Sequence, residues 1–205
     1  MLAILGASGH GKVLADIAEL TGWKQIVFFD DAWPEKASNG AWQVIGDTQM
    51  LLNNINNYQG VIVAIGNNKV RQQKLQQLDS AGAKIITLIH PSATVSRYTQ
   101  IGLGSVIVAG AVINPDCIIG SGAIINTCSS VGHDCTLGDA VHICPGARLA
   151  GGTEVDDRAW VGVGSSVRQL IKIGADAIIG AGSTVVKDVP ASTTVMGVPA
   201  SIKLY

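Results

Sequence analysis

The sequence predicts a two-part chain: a small α/β unit with a parallel sheet, followed by a parallel β-solenoid. Three observations predict it. Residues 1–88 alternate strand-like and helix-like segments, which implies a parallel sheet. From residue 89 the apolar pattern changes to a period of six, which neither a helix nor a plain strand produces. The composition is 47% hydrophobic, 14% charged and only 4% aromatic, so the core must be packed from Ile, Val, Leu and small residues. Domains are therefore expected at 1–88 and 89–205.

In the first part, "LAIL" (2–5) reads as a short apolar strand. The segment 12–20 carries Val13, Ile17 and Leu20 at helical spacing and is stopped by Gly22. "QIVFFDD" (25–31) is a second strand ending in two carboxylates. Residues 32–42 read as a loop, and a helix is expected near 47–55. "VIVAIGN" (61–67) is a buried strand. A helix follows over 68–82, with Val70, Lys74 and Leu78 in line and Gly82 as its stop. "AKIITLI" (83–89) is the last strand.

In the second part, every sixth residue from Ile89 to Val185 is Ile, Val or Leu, over seventeen consecutive positions. The residue four places further on is mostly small, and Gly often comes directly after the aliphatic one, as at Gly102, Gly120 and Gly138. Three short flat sides per coil satisfy this pattern, with aliphatic residues inward and small residues near the corners. Cys117 and Cys135 fall on the small inward series, so they are read as packing residues. Trp160, at the last position of its hexapeptide, is expected to point outward, either at an interface between subunits or simply on the surface.

Several function classes are excluded or disfavoured. A net charge of −1 gives no reason to expect nucleic acid as a partner. The four cysteines have no C-x-x-C pair, which argues against a zinc site and for free thiols in a reducing, cytoplasmic setting; no metal is expected. The start, MLAILGASG, lacks a basic flank and breaks at Gly6, so it is expected to be a strand and not a signal peptide. No apolar run is long enough for a membrane span.

"GASGHGKV" (6–13) allows three readings. A P-loop needs Ser or Thr after Lys12, where Val13 stands. An NAD loop needs a middle glycine, where Ser8 stands, although Asp30 follows about 20 residues on at a strand end, as the ribose-binding acid would. A nucleotide-sugar site needs only free N–H groups at a helix start to hold a diphosphate.

The hexapeptide pattern resembles the left-handed β-helix acyltransferases. Together with "GASGHGKV", "INTCSSVGHDC" (125–135) and "VMGVPASI" (195–202), the whole chain resembles the sugar acyltransferases that join a small Rossmann-like domain to such a helix. That family includes UDP-4-amino-sugar N-acetyltransferases, the UDP-N-acetylbacillosamine enzymes among them, and sialic acid O-acetyltransferases. The resemblance implies His133 as general base with Asp134 beside it; relatives carry Glu there, and whether the shorter Asp134 reaches the ring is open. It further implies His142 at the acetyl end of acetyl-CoA and coenzyme contacts at Val163 and Ala181. Substrate contacts are implied at Ser8, Gly9, His10, Asp30, Asp31 and Gly66. "GVPA" (197–200) resembles the terminal loop near the coenzyme. A homotrimer with sites between subunits is implied as well. An acyl-cysteine at Cys128 or Cys144 is disfavoured, because the family transfers acetyl directly.

The expected activity is acetyl transfer from acetyl-CoA to the amine of a UDP-4-amino-4,6-dideoxy sugar. The alternatives are O-acetylation of sialic acid or another glycan, a nucleotide-binding oxidoreductase that uses the β-helix as scaffold, and a silent oligomerisation module.

Overall fold

The computed structural model describes residues 1–203. The end of the second expected domain, at 205, lies outside the described residues. Two compact units are present, Met1–Pro91 and the part from Ser92 onward. Each is described by itself.

The first unit is built on three parallel strands in the order β2-β1-β5: β1 (Leu2–Leu5), β2 (Ile26–Phe29) and β5 (Gly60–Val63). Leu2 pairs with both Ile26 and Gly60, so the three strands are in step and end together. β1 is buried throughout, as a central parallel strand covered on both faces must be. Between β2 and β5 lie a two-residue hairpin, β3 (Ser38–Asn39) with β4 (Trp42–Gln43), and α2 (Thr48–Asn53). The hairpin falls where a loop is expected. Asp47 caps α2 by accepting from the Met50 N–H at 2.8 Å.

Two helices bury different faces from those their apolar spacing suggests. In α1 (Gly9–Leu20) the buried residues are Gly11, Leu14, Ala15, Ile17 and Ala18, whereas Val13 and Leu20 are exposed. The cause is close approach to the turn after β1 and to Phe28 of β2. A Cβ at Gly11 would lie 2.5 Å from the Gly6 carbonyl, so the helix turns its small residues to the sheet. In α3 (Asn68–Ser80) Asn68, Arg71, Leu75 and Leu78 are buried, while Val70 is exposed. The segment 83–89 contributes only an isolated Val61–Ile85 bridge and the pair Leu88–Ile89, not a full strand.

The second unit is a parallel β-helix with three flat sides. One side stacks Thr94–Val95, Val112–Ile113, Ser130–Val131, Arg148–Leu149, Ser166–Val167 and Thr184–Val185 in register. The other two repeat this arrangement with Ile101–Ile119–Leu137–Val155–Ile173 and Ile107–Ile125–Ile143–Val161–Ile179 as their inward columns. From Ile107 to Val185 every sixth residue is at most 3% exposed. Like stacks on like and the core is continuous. The fold class is thus the expected one.

The corners follow the same arithmetic. From Gly104 to Gly182 every sixth residue has a positive φ between 54° and 73°. Glycine fills half of these positions, and residues such as Asp116, Asp134 and Asp176 fill others, as short polar side chains tolerate this conformation best after glycine. The small inward residues close the corners: Ser105 Oγ donates to the Gly120 carbonyl at 2.9 Å and Cys117 Sγ to the Gly132 carbonyl at 2.9 Å. Among the described residues no helix is long and apolar enough to cross a membrane, and no group of three His, Cys, Asp or Glu side chains is placed to hold a metal.

Candidate active site

The first unit has a cleft of about 270 Å³ at the carboxyl ends of its strands, where open α/β sheets bind ligands. All three strands feed it. Gly6 and Ser8 come from the turn after β1, Asp30 and Asp31 from the end of β2, and Gly66 from the turn after β5. Val70 and Lys74, one turn apart on α3, complete the wall. Gly6 has φ 110° and no room for a Cβ, which would meet the Ala64 carbonyl at 2.8 Å. Gly66 has ordinary φ, and a Cβ there would point into open space.

The two carboxylates have separate tasks. Asp30 accepts from the backbone N–H of Ala7 at 2.7 Å and of Ala32 at 3.1 Å, and so ties the glycine turn to β2. Asp31 accepts from the Thr48 N–H at 2.9 Å and from Lys74 Nζ at 2.8 Å. Partial burial pushes its carboxyl up, but the hydrogen bonds from Lys74 and Thr48 outweigh this and bring it down to about 2. Four of the six predicted substrate residues, Ser8, Asp30, Asp31 and Gly66, thus meet in one cleft. Gly9 and His10 are not part of its lining. His10 Nε2 is enclosed with no hydrogen-bond partner, and burial, aided by the Arg71 charge, holds the ring's pKa at about 4. Arg71 is itself 1% exposed, and its guanidinium donates to the Ile65 and Gly66 carbonyls and to Asn68 Oδ1. It braces the turn that carries Gly66.

On the β-helix, His133 stands two residues past the inward Val131, immediately before the left-handed corner at Asp134 (φ 58°). That corner turns the Asp134 carboxylate back to the ring. His133 Nδ1 donates to Asp134 Oδ2 at 2.6 Å, so the aspartate does reach the histidine. Both side chains are exposed, at 70% and 65%. With Nδ1 engaged, Nε2 is the ring atom left for a ligand. The ring lies over Gly151, where a Cβ would come within 2.6 Å of Nε2 and of Cε1. The Gly152 N–H donates to the His133 carbonyl at 2.8 Å and holds this backbone in place. Sequence reasoning missed Gly151, although it is legible: it occupies the same hexapeptide position one coil further on.

His142 is 7% exposed. Asn126 Oδ1 accepts from the Thr127 N–H, which turns Asn126 Nδ2 toward His142 Nε2 at 3.0 Å. The Trp160 ring packs edge-on to His142 with centroids 4.3 Å apart. Trp160 is therefore half-buried, less exposed than expected of it; its column on the sheet places it directly beside His142. Val163 and Ala181 are exposed on turns one coil apart, joined by the hydrogen bond from the Gly182 N–H to the Val163 carbonyl. Cys117, Cys135 and Cys144 are buried. Burial pushes the Cys144 thiol up to about 12, which unsuits it as a nucleophile. Cys128 is exposed at a corner.

Comparison with known proteins is consistent with this geometry. Residues 1–78 match the PglD N-terminal domain. The chain is 34% identical to the GDP-perosamine N-acetyltransferase of Escherichia coli O157:H7, over 98% of this chain and 95% of that protein. It is 38% identical to the UDP-N-acetylbacillosamine N-acetyltransferase of Bacillus subtilis, over 53% of this chain and 51% of that protein. The crystal structure of a variant perosamine N-acetyltransferase from Caulobacter crescentus, in complex with CoA and GDP-perosamine, superposes with a TM-score of 0.94 at 40% identity, covering 100% of this chain and 97% of that one. With a PglD-type unit followed by a hexapeptide β-helix along its whole length, the chain belongs to the sugar N-acetyltransferase family of left-handed β-helix enzymes.

Proposed function

We propose that this chain transfers the acetyl group of acetyl-CoA to the 4-amino group of a nucleotide-linked 4-amino-4,6-dideoxy sugar, with a UDP-linked sugar as the first substrate to test. The His133–Asp134 pair carries this reading. An amine that attacks a thioester carbonyl forms a C–N bond, breaks the C–S bond and sheds a proton. His133 Nε2 takes that proton, and Asp134, holding Nδ1–H, orients the ring and steadies the charge it gains. The proton then leaves with the CoA thiol, and His133 is regenerated.

The remaining residues take supporting roles. The N-terminal cleft grips the nucleotide, with Ser8, Gly9 and His10 at the start of α1 offering N–H groups to the diphosphate. His10 Nε2 is enclosed, so the contact proposed at His10 is through its main-chain N–H. His142, fixed by Asn126 and Trp160, supports a role at the acetyl end of the coenzyme. The open turns at Val163 and Ala181 suit main-chain contacts with its arm. The names of the full-length relatives favour an amine acceptor over a hydroxyl. A homotrimer belongs to the same reading and is checked by light scattering.

The test is acetyl-dependent release of CoA thiol on mixing with a panel of UDP- and GDP-linked amino sugars. His133→Ala should lower kcat by about 10²- to 10⁴-fold with acetyl-CoA binding retained. No thiol release with any amino sugar, or full activity in His133→Ala, would overturn it.

A further inference from the structure

The Lys74–Asp31 pair in the N-terminal cleft has a consequence for which nucleobase the site accepts. We propose that Lys74, with Asp31, is a specificity residue that selects bases presenting an N–H beside a carbonyl, namely uracil and guanine, and rejects adenine and cytosine. This rests on the cleft being the nucleotide site proposed above.

An ammonium group has three donors. Lys74 Nζ spends two, on Asp31 Oδ2 at 2.8 Å and Thr48 Oγ1 at 2.7 Å. The third remains for a ligand, and Lys74 lines the cleft. Asp31 is acceptor-only when ionised, and beyond the bonds from the Thr48 N–H and hydroxyl and from Lys74 its carboxylate keeps one lone pair for a ligand. The hydrogen bonds that lower its pKa keep it ionised at any physiological pH. The wall therefore presents a donor directly beside an acceptor, both fixed by Thr48. Asp30 differs, since its two oxygens accept from the backbone of Ala7 and Ala32 and its lysine, Lys36, stands off at 3.7 Å and does not line the cleft.

The complement of a donor beside an acceptor is a carbonyl beside an N–H. Uracil offers it as O4 and N3–H, guanine as O6 and N1–H. Adenine and cytosine offer the reverse, an amino group beside a bare ring nitrogen, whose lone pair would face the Asp31 carboxylate. Leu5, Ile65 and Val70 give the same cleft apolar walls, which suit the faces of a flat ring. The chemistry admits both the UDP and the GDP sugars named for the relatives, and it attaches the choice to a side chain that the family resemblance did not supply.

The test measures binding of UDP, GDP, ADP and CDP to the full chain by calorimetry, without acetyl-CoA, so that no acetyl transfer is required. UDP and GDP should bind at least about tenfold more tightly than ADP and CDP. Lys74→Met should remove most of that gap by weakening only the first two, and Lys74→Arg, which keeps the donors, should retain it. A merely structural lysine would weaken all four alike in Lys74→Met, and that result overturns the proposal, as does a wild-type protein that binds all four equally. Equal binding leaves the acetyltransferase reading standing; no binding of any of the four overturns the nucleotide cleft and this inference together. Should Lys74→Met fail to fold, the wild-type panel still decides.

Discussion

Ile143 and Arg71 are both almost fully buried, at 0% and 1% exposure, and for opposite reasons. Ile143 sits in the β-helix between Ile125 below and Val161 above, and any coil offers the same environment at that position. Arg71 sits in the α/β unit against the Ile65 and Gly66 carbonyls and Asn68, partners supplied by that one turn. In the β-helix a residue's surroundings follow from its position within six. In the α/β unit they follow from which particular elements meet there. The candidate chemistry is divided along the same line, with a repeated corner carrying His133 and a singular cleft proposed for the nucleotide.

The largest expected effect tests the repeated side. Ile143→Ala removes a side chain whose neighbours are fixed by the coils on either side, so the cavity cannot collapse. A loss of about 3 kcal/mol is expected, read as a shift of the urea midpoint. Val95→Ala, at the partly exposed start of another inward column, should cost much less. Equal losses at the two positions would mean that the coils do not share one core.

The next effect belongs to the singular side and depends on pH. The folded-state pKa of His10 is about 4, below its ordinary 6.5. Between those values the unfolded chain binds a proton that the folded chain does not, so stability rises with pH across that window. The contribution is complete above pH 6.5, falls away as pH drops toward 4, and amounts to about 3 kcal/mol at most. Thermal melts of the wild type and His10→Gln between pH 2 and 7 check it. The variant should lose this slope and keep the acid transition below pH 4, where Asp31, with its lowered pKa, takes up its proton.

A smaller effect isolates the corner proposed to be catalytic. Gly151→Ala places a methyl group 2.6 Å from His133 Nε2, and the three atoms nearest to that methyl all belong to the His133 ring. The ring must swing aside while the coil stays intact. About a 10- to 100-fold loss in kcat is expected with the melting temperature nearly unchanged. A large fall in stability with normal kcat would place Gly151 in the packing of the coil and not under the base.

How much was legible follows the same division. The inward columns, the absence of inserted loops and the packing role of Cys117 and Cys135 could all be read by counting in sixes, because each coil repeats one environment. The Asp134 contact could not be read from side-chain length, since it depends on the left-handed backbone of that corner. Trp160 is less exposed than expected because position within six fixes direction, not what stands beside the residue on the sheet. In the α/β unit apolar spacing put Val13 and Leu20 inward, whereas the close contact at Gly11 decided the face. Lys74 was visible one turn from Val70, but its partners Asp31 and Thr48 come from other elements, and no local pattern joins them.

The smallest expected effect on the fold is also the sharpest test of the cleft. Gly66 has no positive φ, and a Cβ there meets nothing within 4 Å. Gly66→Ala should therefore leave stability within about 0.5 kcal/mol of wild type. The methyl group would nonetheless project from a residue that lines the cleft, where a nucleotide must approach the backbone closely. Binding of a nucleoside diphosphate should weaken about tenfold, while acetyl-CoA binding is unchanged. Gly6→Ala makes the opposite prediction, because its φ of 110° and the 2.8 Å approach to the Ala64 carbonyl make that glycine a requirement of the fold. If both variants lost stability equally, the open space at Gly66 would be part of the packing and the cleft would lose its claim to a ligand at that wall.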